Sequence, residues 1–258
     1  MLNFRSVNIA AVLISIILLA ISILLEHFLW AYILLFVIWL FITVAGSFIV
    51  KWNYHVSSLN HDMDLKERKI AITFDDGPHP EYTPLVLELL KKYNAKATFF
   101  CIGEQVKKHP NIFNQIIKEG HTVGNHTYSH STNFGFFKTE KVIEELAMTN
   151  EIVKETSGKI MQLYRPAFGV TNPRIKKALS VLKLQSIGWN VRSLDTTSRS
   201  PDVVLHRITK NLSKGDVVLL HDTSSKTIII LEQLLLFLQK QDIESITVDS
   251  LFKIKAYA

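Results

Sequence analysis

Residues Lys69–Pro78, KIAITFDDGP, set two adjacent carboxylates at the end of an apolar stretch. The β-type residues of Lys69–Phe74 predict a strand, and the Gly-Pro pair that follows predicts a break. Successive strand residues point to opposite faces, but at the end of a strand Asp75 and Asp76 can both turn into one cleft. One carboxylate can then bind a metal ion while the other accepts or donates a proton. An ordinary Asp-Gly-Pro turn fits the same residues. Motifs elsewhere in the chain must therefore distinguish a catalytic site from a structural turn.

Short β-type runs alternate with longer helical patterns from residue 69 onward. Apolar residues recur at helical spacing between these runs, as in Tyr82–Tyr93, Gln105–Glu119 and Thr139–Ser157. The alternation implies parallel strands joined by right-handed crossovers. It predicts one α/β domain over residues 66–258, either a β/α barrel or an open doubly wound sheet, with reactive groups where strands end. Seven strands are predicted: Lys69–Phe74, Ala97–Ile102, His121–Gly124, Ile160–Tyr164, Leu184–Val191, Val217–Leu220 and Ser245–Val248.

Two uncharged apolar runs precede this domain, at residues 7–25 and 28–50, and only Glu26-His27 clearly separates them. Each has about the 20 residues that cross the hydrocarbon core of a bilayer. They predict a membrane anchor over residues 1–52 with two transmembrane helices, followed by a polar linker at residues 53–65. A cleaved signal peptide would have a shorter apolar region, roughly 7–15 residues. A buried helix pair of a soluble protein is the other alternative, which the lack of a polar face disfavours.

Charges beside the apolar runs bear on the orientation in the membrane. Arg5 and Lys51 lie on the same side if both runs span, and the loop between them carries Glu26 without a Lys or Arg. The positive-inside tendency therefore weakly favours a cytoplasmic catalytic domain.

Composition narrows the remaining classes of function. The chain has 258 residues and a formal net charge of +6, but its basic residues form no clustered stripe with interleaved aromatics, so we expect no nucleic-acid partner. The single cysteine, Cys101, excludes a disulfide within the chain, and its apolar neighbours predict a core position. The oligomeric state is unknown from the sequence.

His126 and His130 lie four residues apart just after the third predicted strand. On a helical turn this spacing puts both rings on one face, and the polar residues between them offer no apolar face to bury. With one carboxylate from Asp75-Asp76 they form a set of two His and one Asp ligands. This set leaves coordination positions open for water and substrate, as a catalytic metal requires. Zinc is the cautious choice, and cobalt, manganese and iron(II) fit the same ligands.

Three further polar segments follow predicted strands. Arg165–Gly169 suits a shaped loop whose backbone N–H groups can stabilise an oxyanion, while Arg165 can keep a carboxylate ionised. His221 emerges from an apolar strand and is well placed as a general acid, although a structural histidine is the alternative. Trp189, near the end of the fifth predicted strand, and Asp195, which follows that strand, are candidates for contact with a substrate.

Four of these segments resemble motifs of the polysaccharide deacetylase family, also called the NodB-homology family or carbohydrate esterase family 4. The matching segments are Thr73–Pro78, His126–His130, Arg165–Gly169 and Leu219–His221, in the family's order. The resemblance covers about residues 68–250. It implies a deformed (β/α) barrel that binds a divalent metal and removes acetyl groups from N-acetylated sugars.

The resemblance also implies roles for single residues. Asp75 would be the general base, tuned by Arg165, and His221 would be the general acid. The backbone N–H of Phe168 would help to bind the oxyanion, and Leu219 would line the acetyl pocket. The metal ligands would be Asp76, His126 and His130.

One motif departs from the family's pattern. The family usually has an Asp, then a second Asp three residues later followed by Trp, and the first Asp pairs with the motif Arg. This chain has Arg192, Asp195 and Thr196 at those positions. Either Asp195 is the partner of Arg165, or Arg192 faces an anionic substrate. The aromatic wall that the Trp would provide is missing at Thr196, which leaves the substrate open.

Three functions are therefore in competition. The leading hypothesis is a membrane-anchored, metal-dependent hydrolase that removes N-acetyl groups from peptidoglycan or a chitin-like polymer outside the cytoplasm. A cytoplasm-facing deacylase of a lipid-linked sugar is the first alternative. The second is a catalytically inactive carbohydrate-binding module. The sugar, and the choice among N-acetyl, O-acetyl and N-formyl groups, are not determined by the motifs.

Overall fold

Two apolar helices and an α/β domain make up the chain in the computed structural model, which describes residues 3–24 and 29–258. The helices are α1 (Phe4–Leu24), α2 (Leu29–Phe48), α3 (Tyr82–Lys92), α4 (Gly103–Lys108), α5 (Pro110–Lys118), α6 (Thr139–Ser157), α7 (Pro173–Leu182), α8 (Pro201–Thr209), α9 (Ser225–Lys240) and α10 (Val248–Phe252). The strands are β1 (Ser58–Leu59), β2 (Lys69–Asp75), β3 (Ala97–Cys101), β4 (Thr122–Asn125), β5 (Leu163–Tyr164), β6 (Gln185–Ile187), β7 (Val191–Arg192), β8 (Val217–His221) and β9 (Glu244–Ser245).

The strands form one parallel sheet in the order β1-β6-β5-β4-β3-β2-β8-β7, with β9 paired to the start of β2. The edge strands β1 and β7 do not pair with each other within the described residues. Strand twist therefore curls the sheet into a half-barrel that stays open on one side. The predicted α/β class and deformed barrel are confirmed.

Both faces of the central strands are buried, as their nearly continuous apolar sequence requires. Ile72 and Phe74 of β2 pack outward into a cluster that includes residues of α3, α5 and α9. The alternate residue Ala71 points inward to a second cluster with Phe100 and Leu163. Cys101 is fully buried in the outer cluster, which confirms its predicted core position, and burial raises the pKa of its thiol.

The sheet has two more strands than the seven predicted. The predicted run Leu184–Val191 is interrupted after Ile187 and becomes β6 and β7. The segment 53–65, expected to be a linker, contributes β1, and Ser58 hydrogen-bonds Ser186 of β6 through their hydroxyls at 2.8 Å. Gly188 makes the close approach of this segment feasible, because a Cβ there would lie 1.9 Å from Asn60 Oδ1.

The predicted helix Gln105–Glu119 is also interrupted. It divides at His109 into α4 and α5, whose axes cannot be continuous because Pro110 disfavours a helical residue before it. His109 accordingly takes φ −129° and ψ 54°.

The helices α1 and α2 are each long and apolar enough to span a bilayer, over Phe4–Ile23 and Leu29–Phe48. Most of their side chains are exposed in the isolated chain, unlike those of the core helices of a soluble protein. The predicted connection at Glu26-His27 lies outside the described residues. The end of α2 is joined to the α/β domain by a hydrogen bond from the Thr171 N–H to the Ser47 carbonyl, at 2.8 Å.

Tyr54, shortly after α2, is buried. Its hydroxyl lies 3.0 Å from the Thr43 hydroxyl of α2. Its ring covers Gly46, where a Cβ would lie 2.4 Å from the Tyr54 Cγ. The residues after α2 are therefore packed against the helix rather than free.

Candidate metal centre and catalytic pocket

The candidate ligands and proton-transfer groups meet at the carboxyl ends of the strands. Asp75 ends β2 and is in register with His221, which ends the neighbouring strand β8. His126 follows the last residue of β4, and Arg165 follows the last residue of β5. Because parallel strands end at one edge of the sheet, residues far apart in sequence converge there.

Asp76, His126 and His130 offer three ligand atoms that all lie within 4.8 Å of one another. The Nε2 atoms of His126 and His130 are 3.4 and 3.5 Å from Asp76 Oδ1. Ligands about 2.1 Å from a tetrahedral cation are themselves about 3.4 Å apart, so this donor set fits a divalent metal ion. The Nδ1 of His126 is 3.0 Å from the Arg165 carbonyl; donation from Nδ1 leaves the Nε2 lone pair for a metal.

The loop that carries the two histidines is not the helical turn that their spacing suggested. Thr127 and His130 have left-handed backbone, with φ of 69° and 47°. The Glu145 carboxylate of α6 holds the loop by accepting hydrogen bonds from the N–H groups of Tyr128 and Ser129, at 3.2 and 2.9 Å, and from the Ser129 hydroxyl. The rings meet because the tertiary structure folds the loop onto α6.

Asp75 and Asp76 point into the same cleft because the chain leaves the strand between them. Asp76 has φ 77°, and both carboxylates approach His126, whose Nε2 is 3.9 Å from Asp75 Oδ2. Burial raises the pKa of Asp75 despite the opposing charge of Arg165. Burial acts in the same sense on Asp76, but hydrogen bonding and charge from His126 outweigh it and lower the pKa of Asp76. Burial lowers the pKa of His130 to about 4.

Arg165 is fully buried behind this pair of carboxylates. Its Nη1 lies 3.2 Å from Asp75 Oδ1 and donates to the Thr73 hydroxyl at 2.6 Å. Its Nη2 donates to the Gly188 carbonyl at 3.0 Å, and its guanidinium stacks 4.1 Å from the centre of the Phe100 ring. The partner of Arg165 is therefore Asp75, and the expectation that Asp195 could fill this role is wrong.

Asp195 instead holds His221. Its Oδ1 lies 2.9 Å from His221 Nδ1, and its Oδ2 accepts the His221 N–H at 2.8 Å. Burial lowers the pKa of His221, but the hydrogen bond and charge of Asp195 outweigh it and raise the pKa to about 9. Asp195 is fully buried and does not line the pocket, so its predicted contact with a substrate is not found.

The other predicted substrate residues do line a pocket beside the three ligand atoms. This cavity of about 320 Å³ is bordered by Phe168, Trp189 and Leu219 together with His221 and the candidate ligands. Phe168 has left-handed backbone, with φ 56°, and its N–H makes no hydrogen bond to the rest of the described chain. Thr196 and Arg192 complete the wall at the positions where the family usually has aromatic and acidic residues.

Sequence reasoning missed Glu145 and Thr73, which position the site from behind. Glu145 had a detectable signal, because it is a carboxylate on the apolar stripe of α6 that also contains Val142, Leu146 and Thr149. A charged residue on such a stripe calls for a buried partner. Thr73 gave no such signal, since threonine is common in strands.

Comparisons with known proteins agree with this geometry. A family model described as polysaccharide deacetylase matches residues 62–187. A peptidoglycan-N-acetylglucosamine deacetylase of Bacillus cereus is 36% identical over 194 residues, which are 73% of this chain and 90% of that protein. The peptidoglycan-N-acetylmuramic acid deacetylase PdaC of Bacillus subtilis is 30% identical over 193 residues, which are 75% of this chain and 40% of that protein.

A solved structure shows the same likeness in three dimensions. The crystal structure of a peptidoglycan N-acetylglucosamine deacetylase in complex with 4-naphthalen-1-yl-N-oxidanyl-benzamide superposes with a TM-score of 0.72 at 30% identity. The match covers 78% of this chain and 94% of the other. The half-barrel and its cleft thus define a hydrolase that acts on amide bonds. The chain belongs to the polysaccharide deacetylase family, which confirms the resemblance of the motifs.

Proposed function

We propose that this protein is a membrane-anchored, zinc-dependent deacetylase of N-acetylated amino sugars in a glycan. The observation that carries the proposal is the meeting of Asp76, His126 and His130 within one ligand sphere, with Asp75 and His221 beside it. Two relatives are named as deacetylases of peptidoglycan N-acetylglucosamine and of peptidoglycan N-acetylmuramic acid. Their names support this class of substrate.

A divalent cation held by these three ligands would polarise the acetyl carbonyl and acidify a water molecule. The Asp75 carboxylate is the base for that water, because it lies beside the ligands and faces the pocket. Arg165 contacts Asp75 from behind, orients it, and favours its ionised form against the effect of burial. The unpaired N–H of Phe168 is available to the oxyanion that develops as water adds to the carbonyl.

His221 supplies the proton that the departing amine needs. Asp195 fixes its Nδ1 side, so Nε2 is the nitrogen left for the substrate. With its pKa raised to about 9, the ring is protonated at neutral pH and works as an acid rather than as a base. The two proton-transfer groups thus have opposite tasks set by their partners, Arg165 and Asp195.

Release of acetate tests this function. The full-length chain in neutral detergent should release acetate from N-acetylated chito-oligosaccharide or from peptidoglycan, and a chelator should abolish the release. Zinc should restore activity, and cobalt and manganese serve as comparison ions. In the presence of zinc, failure to release acetate from these substrates and from a lipid-linked N-acetylamino sugar would favour an inactive carbohydrate-binding module. Release of formate from an N-formyl analogue in preference to acetate would also contradict the proposal.

A further inference from the structure

We propose that a second cleft beside the catalytic pocket binds the phosphate of a lipid-linked substrate. The proposal rests on the proposed deacetylase function and narrows its substrate to an amino sugar attached through phosphate to a lipid. The cleft has a volume of about 260 Å³ and is lined by Phe48, Lys51, Trp189, Asn190, Arg192 and Arg207, among others.

The charge of this cleft favours an anion. Lys51, Arg192 and Arg207 line it, and no Asp or Glu is among its lining residues. None of the three forms a salt bridge in the part of the chain that the structure describes. Arg207 donates from Nε to the Arg192 carbonyl at 2.8 Å, which fixes its position and leaves its terminal nitrogens for a ligand. Guanidinium groups bind phosphate through paired hydrogen bonds.

The position of the cleft points to a lipid as the carrier of the phosphate. Phe48, the last residue of the apolar span Leu29–Phe48, lines the cleft, and Lys51 follows one turn later. A span of 20 residues is about 30 Å long and matches the hydrocarbon core. The cleft therefore begins where the hydrocarbon ends, at the depth of lipid phosphates.

The cleft also lies next to the catalytic pocket, since Trp189 and Arg192 line both cavities. In a 2-acetamido sugar with phosphate at the anomeric position, the two groups are on adjacent carbons. Such a sugar can therefore present its acetyl group to Asp76, His126 and His130 and its phosphate to the Arg192 side. A headgroup of the surrounding bilayer would not need a phosphate site next to the catalytic pocket. The structure therefore favours the substrate as the occupant of the cleft.

A matched pair of substrates tests the proposal with the full-length chain in neutral detergent. Farnesyl diphosphate-linked N-acetylglucosamine and the farnesyl O-glycoside of N-acetylglucosamine share sugar and lipid and differ in the diphosphate. The wild-type kcat/KM should favour the diphosphate. Lys51→Gln and Arg207→Gln should each reduce this preference by about tenfold, mainly through KM, as expected for a lost charge-assisted hydrogen bond. Arg207→Lys, which keeps the charge but loses the paired hydrogen bonds, should retain only part of it.

Lys240→Gln is the matched control, because Lys240 is exposed at the end of α9, which leads away from the strand ends that form the site. It should leave both rates unchanged. Equal rates on the two substrates in the wild type, or equal effects of Arg207→Gln on both, would overturn the phosphate site. An effect of Arg207→Gln that appears only in nanodiscs with anionic lipid would assign the cleft to bilayer headgroups.

A binding measurement separates this proposal from the proposed function. Farnesyl diphosphate should bind the metal-free full-length chain in calorimetry, and Arg207→Gln should weaken this binding by about tenfold. If neither substrate is deacetylated but this binding is seen, the deacetylase assignment fails and the anion site stands. If deacetylation is seen without this binding, the anion site fails alone.

Discussion

At the scale of single residues, His126 and His221 are expected to separate metal binding from proton transfer. His126→Ala removes a ligand atom that lies 3.4 Å from Asp76 Oδ1, so we expect loss of both metal and turnover. His221→Ala should keep the metal and lower kcat by about 10²–10⁴-fold, because the amine leaves without its proton. Metal content by mass spectrometry and acetate release measure the two effects.

The control for this pair is His206→Ala, which removes an exposed imidazole from α8 and should change neither quantity. Equal loss of metal in His126→Ala and His221→Ala would contradict the division of roles.

Asp195 is expected to set the alkaline limit of activity. A histidine acts as a general acid only while it is protonated. Turnover should therefore persist below the His221 pKa of about 9 and fall as the pH rises through that value. Asp195→Asn removes the charge that raises this pKa, and the alkaline limb should move toward the ordinary histidine value of 6.5. The pH dependence of kcat/KM measures the shift. An unmoved alkaline limb would assign it to another group. Asp202→Asn, at an exposed position of α8, is the charge-matched control.

Residue types alone predicted a set of two histidines and one carboxylate from the Asp75-Asp76 pair, because His and Asp bind zinc-like ions. The choice of Asp76 came from the resemblance to the family. The partners of the charged groups were less predictable: only the resemblance implied that Arg165 meets Asp75, and the partner of Asp195 was not predicted. Arg165 pairs with Asp75, 90 positions away, and Asp195 pairs with His221, which only the packing of β8 against its neighbours decides. Asp195 was considered as a partner of Arg165 because the sequence does not show which charged side chains are in contact.

At the scale of elements, α6 is expected to control metal affinity through Glu145. This carboxylate holds the loop that carries His126 and His130, so Glu145→Ala should lower metal affinity by about 10–100-fold, as for other residues that orient ligands. Competition with a chromogenic chelator measures the affinity. Glu144→Ala changes an exposed carboxylate one position earlier and should have no effect.

Unchanged metal affinity in a folded Glu145→Ala variant would show that the loop holds its shape without α6. A loss of folding in circular dichroism would instead place the role of Glu145 in stability, and Glu145→Gln, which keeps acceptor and shape, would then be measured.

The bounds of helices and strands were predicted from local sequence pattern more accurately than the contacts between them. Helix α6 begins and ends as predicted, at Thr139 and Ser157, because its periodicity is long and Gly158 follows with φ 71°. Strand β1 was missed because two residues have no period, and it exists only through its pairing with β6. The histidine loop was expected to be helical for a related reason, since spacing does not show which element packs against it.

At the scale of the whole molecule, the two apolar helices are expected to anchor the chain in a membrane. The full-length protein should remain in the membrane fraction after an alkaline carbonate wash, because removing two spans of 20 residues from lipid is prohibitively costly. Cell fractionation with an antibody to a C-terminal tag measures this. Release into the soluble fraction would contradict the anchor.

A reporter fused after Ala258 determines the side of the catalytic domain. The charges of Arg5 and Lys51 favour the cytoplasm, whereas a peptidoglycan substrate requires the outside. A phosphatase that is active only outside the cytoplasm separates the two, and a phosphate-linked lipid substrate is compatible with either leaflet.

The sequence by itself determined the alternation of strands and helices, the apolar spans and the types of ligand, because periodicity and side-chain chemistry are local properties. Only the tertiary structure decided that Asp195 meets His221, that Glu145 meets the histidine loop, and that Lys51 meets Arg192 and Arg207 around one cleft. These contacts join segments that are distant along the chain, so they depend on strand order and on the curl of the sheet.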